Sequence, residues 1–184
     1  MKIGVYVGSF NPVHKGHIFI INHLIKNKYV DKVIVIPTSD YWDKQDLIDI
    51  NHRINMLKYY ESENIIIDDK LNDEEFTYNI LNKLKNKYIN DELYLIIGAD
   101  NIIKFHLWKN VYEILKYNVI VINRDNIDVY CYINNFKEKN KFIVVNNIDI
   151  AVSSSMIRND IDKNNNMLDN NVYKYIKDNN LYRK

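Results

Sequence analysis

Apolar residues in this chain come in short unbroken blocks, separated by longer stretches of mixed polarity. The blocks fall at 3–7, 32–36, 64–67, 93–97, 118–122 and 142–145. They are rich in Ile and Val and mostly do not alternate with polar residues, the pattern of strands buried on both faces. The stretches 17–28, 51–62, 77–87, 110–116 and 128–138 carry apolar residues at helical spacing, and 169–180 reads as a C-terminal helix. Strand and helix alternate over the whole length. That predicts an α/β domain with a mainly parallel sheet, flanked by helices and joined by right-handed crossovers.

The punctuation sharpens this picture. The chain has four glycines and two prolines. Gly8, Pro12 and Gly16 fall in the turn after the first strand, Pro37 follows the second, and Gly98 follows the fourth. Five of the six therefore sit at carboxyl ends of predicted strands, the edge where open α/β sheets bind ligands. The need of turns for Gly and Pro explains their presence in loops. It does not explain their near absence from the opposite edge.

A length of 184 residues suits one domain with a sizeable core. Lys plus Arg is 25 and Asp plus Glu is 24, a net charge of +1, which gives no electrostatic case for nucleic acid or a membrane surface. A small anionic ligand remains compatible with the local basic residues. Cys131 is the only cysteine, so an internal disulfide and a cysteine-rich metal site are excluded. No apolar run approaches the roughly 20 residues that span a bilayer, and no signal peptide precedes the first strand. A cytoplasmic protein is expected, with a homo-oligomer left open. Heavy use of Asn, Ile, Lys and Tyr fits an AT-rich codon bias and carries no functional meaning.

Three constellations could carry chemistry. The first is Gly8-Ser9-Phe10-Asn11-Pro12-Val13-His14-Lys15-Gly16-His17, between a predicted strand and a predicted helix. Backbone N–H groups and the positive end of the helix dipole converge there. With His14 and His17 added, the turn suits a polyphosphate whose charge changes during reaction. Metal ligation by the pair is disfavoured, since no carboxylate or third histidine is near in sequence. Ser9 lacks the surroundings of a nucleophile elbow.

The second is Ile96-Ile97-Gly98-Ala99-Asp100, followed by Trp108. Gly98 permits close approach of a ligand, Asp100 could accept from ribose hydroxyls, and Trp108 could stack on a planar ring. Taken alone, these residues read better as an Asp helix cap and a core tryptophan. The third is Val152-Ser153-Ser154-Ser155-Met156-Ile157-Arg158. Serines that open a helix can hold an anion through their N–H groups, and Arg158 could fork onto phosphate oxygens. Alone, it reads as a capped helix with a solvated arginine. Lys44 in the 38–47 loop, Arg53, Phe76-Thr77 and Arg124 lie at the same predicted edge, each with an ordinary surface explanation.

These motifs, in this order, resemble the nucleotidyltransferase superfamily with the H-x-G-H signature. They are most similar to the nicotinate and nicotinamide mononucleotide adenylyltransferases of NAD synthesis. The likeness covers nearly the whole chain and rests also on NHRINML at 51–57, FTYNIL at 76–81, LYLIIGAD at 93–100, VIVINR at 119–124 and SSSMIR at 153–158. It implies a Rossmann-like domain over 1–184 that moves AMP from ATP to a pyridine mononucleotide. It implies that Gly8, Ser9 and Phe10 line the nucleotide site and that His14 and His17 meet the ATP phosphates. Ser154, Ser155 and Arg158 would hold the triphosphate, and Asp100 would belong to the nucleotide pocket, with Gly16, Gly98 and Arg124 on the same side. Trp108 would be the pyridine platform and Thr77 would meet the pyridine carboxyl or amide. Lys44 would add a donor if its loop folds inward. Mg²⁺ is expected, bound mainly through the ATP phosphates.

One region departs from the bacterial nicotinate-type pattern. The 38–47 loop lacks their Pro-Pro-His-Lys-like run, and its aromatic-x-Lys-x-x-Leu spacing resembles nicotinamide-accepting relatives. Nicotinate mononucleotide is the expected acceptor, with nicotinamide mononucleotide as the alternative. Pantetheine-phosphate adenylyltransferase and a non-catalytic nucleotide-binding regulator are the remaining readings.

Overall fold

The computed structural model describes residues 1–39, 47–123, 127–146 and 152–183. Six strands form one sheet: β1 (Lys2–Gly8), β2 (Lys32–Pro37), β3 (Ile65–Ile67), β4 (Glu92–Gly98), β5 (Asn118–Ile122) and β6 (Phe142–Val145). All pairings are parallel, in the order β3-β2-β1-β4-β5-β6. The six predicted strands are thus all present, and the sheet is doubly wound.

The helices are α1 (Lys15–Lys26), α2 (Ile50–Lys58), α3 (Thr77–Lys87), α4 (Ala99–Ile102), α5 (Val111–Ile114), α6 (Val129–Ile133), α7 (Ser154–Asn159) and α8 (Asn170–Asp178). They divide the core in two. Ile20, Ile21 and Leu24 of α1, Met56 and Leu57 of α2, and Val172 and Ile176 of α8 cover one face of the sheet. Ile80, Leu81 and Leu84 of α3, with Ile102, Ile114 and Ile133, cover the other. Along β2, Val33 and Val35 point into the first core and Ile34 and Ile36 into the second. That two-sided burial is why the strands read as unbroken apolar runs.

Several helices end earlier than their periodicity predicts. α1 stops at Lys26 because Lys28 turns left-handed (φ 61°), a conformation that breaks the helical repeat. The 51–62 and 128–138 stretches close in tight turns: Tyr60 N–H bonds Leu57 O at 2.9 Å and Phe136 N–H bonds Ile133 O at 3.0 Å. Gly4 is the one Gly or Pro away from the carboxyl edge. It lies inside β1, where a Cβ would come within 2.8 Å of the Ile96 side chain. No helix among the described residues is long and apolar enough to cross a membrane.

Candidate active site

β1 ends at Gly8 and the chain turns through residues 9–14 into α1. Phe10 adopts a left-handed backbone (φ 45°) and is buried, a costly state for an aromatic residue. Its ring meets Tyr6 edge-on at 5.3 Å and His17 at 5.0 Å, so packing holds a bend that the backbone resists.

His14 stands at the N-cap of α1 and His17 one turn inside it. Their rings stack at 3.7 Å and 23°. The His14 backbone N–H donates to His17 Nδ1 at 3.3 Å. A neutral imidazole that accepts at Nδ1 carries its proton on Nε2, which gives His17 a donor edge.

The loop is tied from several directions. Arg53 of α2 is fully buried and donates from Nε to the Ile48 carbonyl at 3.0 Å. Its Nη1 reaches the carbonyls of Ser9 at 2.8 Å and Thr38 at 2.6 Å. Arg158 donates to the Asn11 carbonyl at 2.8 Å, and Ser154 Oγ donates to the Pro12 carbonyl at 3.0 Å. The Tyr182 hydroxyl donates to Asn11 Oδ1 at 2.8 Å. Burial pushes that phenol far above its usual range, against the weaker opposing pull of Arg158 and Arg53, so it stays protonated as a donor.

A cavity of ≈ 240 Å³ opens at the carboxyl ends of β1 and β4. Those strands are the neighbours at which the chain order reverses, the switch point where doubly wound sheets bind ligands. Gly8, Ser9, Phe10, His14, His17, Gly98, Asp100, Asn101, Trp108, Ser153 and Ser154 line it. A second cavity of ≈ 400 Å³ shares Val7, Gly8, Ser9, Asn101 and Trp108 with the first. It adds Thr38, Phe76, Thr77, Lys109 and Ile114. The first space, with two imidazoles and serines, suits phosphates. The second, with aromatic walls, suits a planar ring.

The structure brings most of the predicted residues together. Gly8, Ser9, Phe10, His14, His17, Gly98, Asp100 and Ser154 border the first cavity, Thr77 the second, and Trp108 both. Gly98 is the N-cap of α4, and a Cβ there would run into the Asp100 carboxylate, so glycine lets that side chain fold back over the strand end. Asp100 is therefore a first-turn residue rather than a cap. Trp108 is half-buried and leans on Phe105 at 5.1 Å. Gly16 is buried inside α1 and borders neither cavity. Ser155 accepts from Arg158 at 3.3 Å, and neither is among the described residues that line the first cavity. Lys44 and Arg124 fall outside the described residues.

Sequence reasoning missed Asn11, Asn101 and Tyr182, and it gave Arg53 only a ligand-edge reading. Arg53 had one visible signal. It shares the core-facing stripe of α2 with Met56 and Leu57, three and four residues on. Asn11 and Tyr182 had none.

The cytidylyltransferase-like family model matches residues 5–160. Two relatives named probable nicotinate-nucleotide adenylyltransferase match over the whole chain. That from Flavobacterium psychrophilum is 34% identical with all of its own length covered, and that from Borrelia garinii subsp. bavariensis is 37% identical with 96% covered. In fold, the chain is similar to the Plasmodium falciparum nicotinic acid mononucleotide adenylyltransferase complexed with NaAD. The TM-score is 0.81 at 23% identity, over 98% of this chain and 97% of that one. The chain belongs to the cytidylyltransferase-like family and, within it, to the nicotinate-nucleotide adenylyltransferases.

Proposed function

We propose that the protein transfers AMP from ATP to nicotinate mononucleotide, releasing pyrophosphate and forming the deamido dinucleotide used in NAD synthesis. The observation that carries this reading is the pair of adjoining cavities that meet along Gly8, Ser9 and Trp108. ATP takes the histidine-lined cavity and the pyridine ring takes the other. An oxygen of the acceptor's 5′-phosphate attacks the α-phosphorus, and the bond to pyrophosphate breaks opposite it. That phosphate is already ionised at neutral pH, so the step needs no general base and no covalent intermediate. The protein supplies alignment and charge stabilisation. His17 donates from Nε2 to the triphosphate, with His14 stacked behind it, and Ser154 sits beside them. Arg158 supports this arrangement by holding the Asn11 carbonyl, with Ser155 bonded to its other nitrogen.

Among the described residues, no three His, Cys, Asp or Glu side chains gather as a metal cage. Asp100 is the one carboxylate among the described residues of the first cavity wall. This donor set fits a Mg²⁺ ion carried in on the ATP phosphates, where it would neutralise charge on the departing pyrophosphate.

Purified protein with ATP, Mg²⁺ and nicotinate mononucleotide is expected to yield the dinucleotide and pyrophosphate in equal amounts. Binding of ATP without dinucleotide from either pyridine mononucleotide would remove the enzyme reading and leave a nucleotide-binding regulator. Replacement of Trp108 by Ala is expected to raise KM for the acceptor about tenfold, the scale of one lost stacking face. The change in KM for ATP should be smaller. An acceptor KM that does not move would take the platform role from Trp108.

A further inference from the structure

The second cavity carries an asymmetry that its aromatic walls do not explain. Among the described residues that line it, Lys109 alone is charged. No carboxylate is among the described lining residues; its polar companions Thr38, Thr77 and Asn101 are neutral. Lys109 is exposed and takes part in no hydrogen bond, ion pair or ring contact within the described structure. Lysines elsewhere in the fold can be tied down, although Lys104, five residues earlier, is exposed like Lys109. Lys116 pairs with Glu113 at 2.7 Å and Lys85 donates to two carbonyls at 2.9 Å and 2.8 Å. Lys109 also follows directly on Trp108, and both residues line this cavity.

We infer that Lys109 is the acceptor-discriminating residue: its ammonium receives the ring carboxylate of the acceptor, and this is what favours nicotinate over nicotinamide. The inference rests on the reading of the second cavity as the pyridine site. An ammonium has three donors and no acceptor. It makes a charge-assisted bond to a carboxylate. From a carboxamide it gains a bond to an uncharged oxygen, without the ion-pair attraction, and faces the amide N–H₂ with a like donor. Trp108 offers the same face to either ring and so cannot discriminate. Thr77, with one hydroxyl, serves both.

The test measures kcat/KM for nicotinate and for nicotinamide mononucleotide in the wild-type protein and in Lys109→Gln and Lys109→Glu. The ratio of the two efficiencies is expected to fall about tenfold in Lys109→Gln, through KM for the nicotinate acceptor, and further in Lys109→Glu. Rising ionic strength should lower the ratio in the wild type and leave it flat in Lys109→Gln, since salt screens an exposed charge pair. A parallel loss with both acceptors would show that the lysine meets the 5′-phosphate they share, and would overturn the inference. So would an unchanged ratio. Wild-type protein that turns over neither acceptor would instead remove the underlying functional reading, and the two failures are told apart by that control. The exposed side chain makes no bond that the fold depends on, so both variants can be compared at equal folded concentration.

Discussion

His17→Ala is expected to lose about 10²–10³ of kcat, the usual cost of removing one donor aimed at developing charge. Three features make the effect large. The Nδ1 bond from the His14 N–H fixes the ring's tautomer, so the donor is set before the nucleotide arrives. Contacts with Phe10 and His14 fix its plane. Its position near the start of α1 adds the helix dipole to the same region. The fold should survive, because alanine suits a helix and the lost bond to the His14 N–H costs about 1 kcal/mol. Pyrophosphate release and circular dichroism on the same sample check both halves of the statement. A variant within a few-fold of wild-type turnover would reduce His17 to a brace for the loop. His17→Asn separates the two roles further. Its side chain can still accept from the His14 N–H, so a positioning role predicts rescue and a donor role does not.

Arg53→Met should be the most destabilising of the substitutions considered. The side chain is fully buried and serves the carbonyls of Ile48, Ser9 and Thr38 at once. A buried acceptor left without its donor costs about 1–3 kcal/mol, so losing three is expected to cost at least about 3 kcal/mol. Urea denaturation would show this as a lower midpoint with an unchanged slope. Turnover should fall too, since Ser9 and Thr38 belong to the ends of β1 and β2 that frame the second cavity. Lysine does not substitute: it keeps the charge but loses the planar fork that spans separate carbonyls. A midpoint equal to that of the wild type would mean that other bonds hold the loop.

The strands were legible because burial on both faces writes an unbroken apolar run into the sequence, as in Lys32–Pro37. The first loop was legible because glycine, proline and two histidines are crowded into ten residues at a strand-helix junction. Helix ends were less so. This chain uses Lys28 and Asn180 at left-handed positions where glycine would usually mark a stop. The α4 turn after Gly98 is too short to show a periodicity at all. What the sequence could not disclose were the long-range ties. Arg158 reads like a phosphate ligand beside its serines, and nothing local shows that its guanidinium also reaches the carbonyl of Asn11. A buried arginine that gathers three carbonyls, or a tyrosine that finds an asparagine 171 positions away, leaves no local trace.

That last pair sets an order of events. Asn11 is translated 171 positions ahead of Tyr182, the residue whose phenol fixes its side chain. The helix that carries the chain back, α8, is docked through the Tyr175 hydroxyl onto His52 at 2.9 Å and Asn55 at 3.0 Å. The last tie on its phosphate loop waits for synthesis to pass residue 182. Maturation of the site is in this sense clocked by translation, and a chain stopped a few codons short would differ from the full one in its chemistry before it differed in its fold.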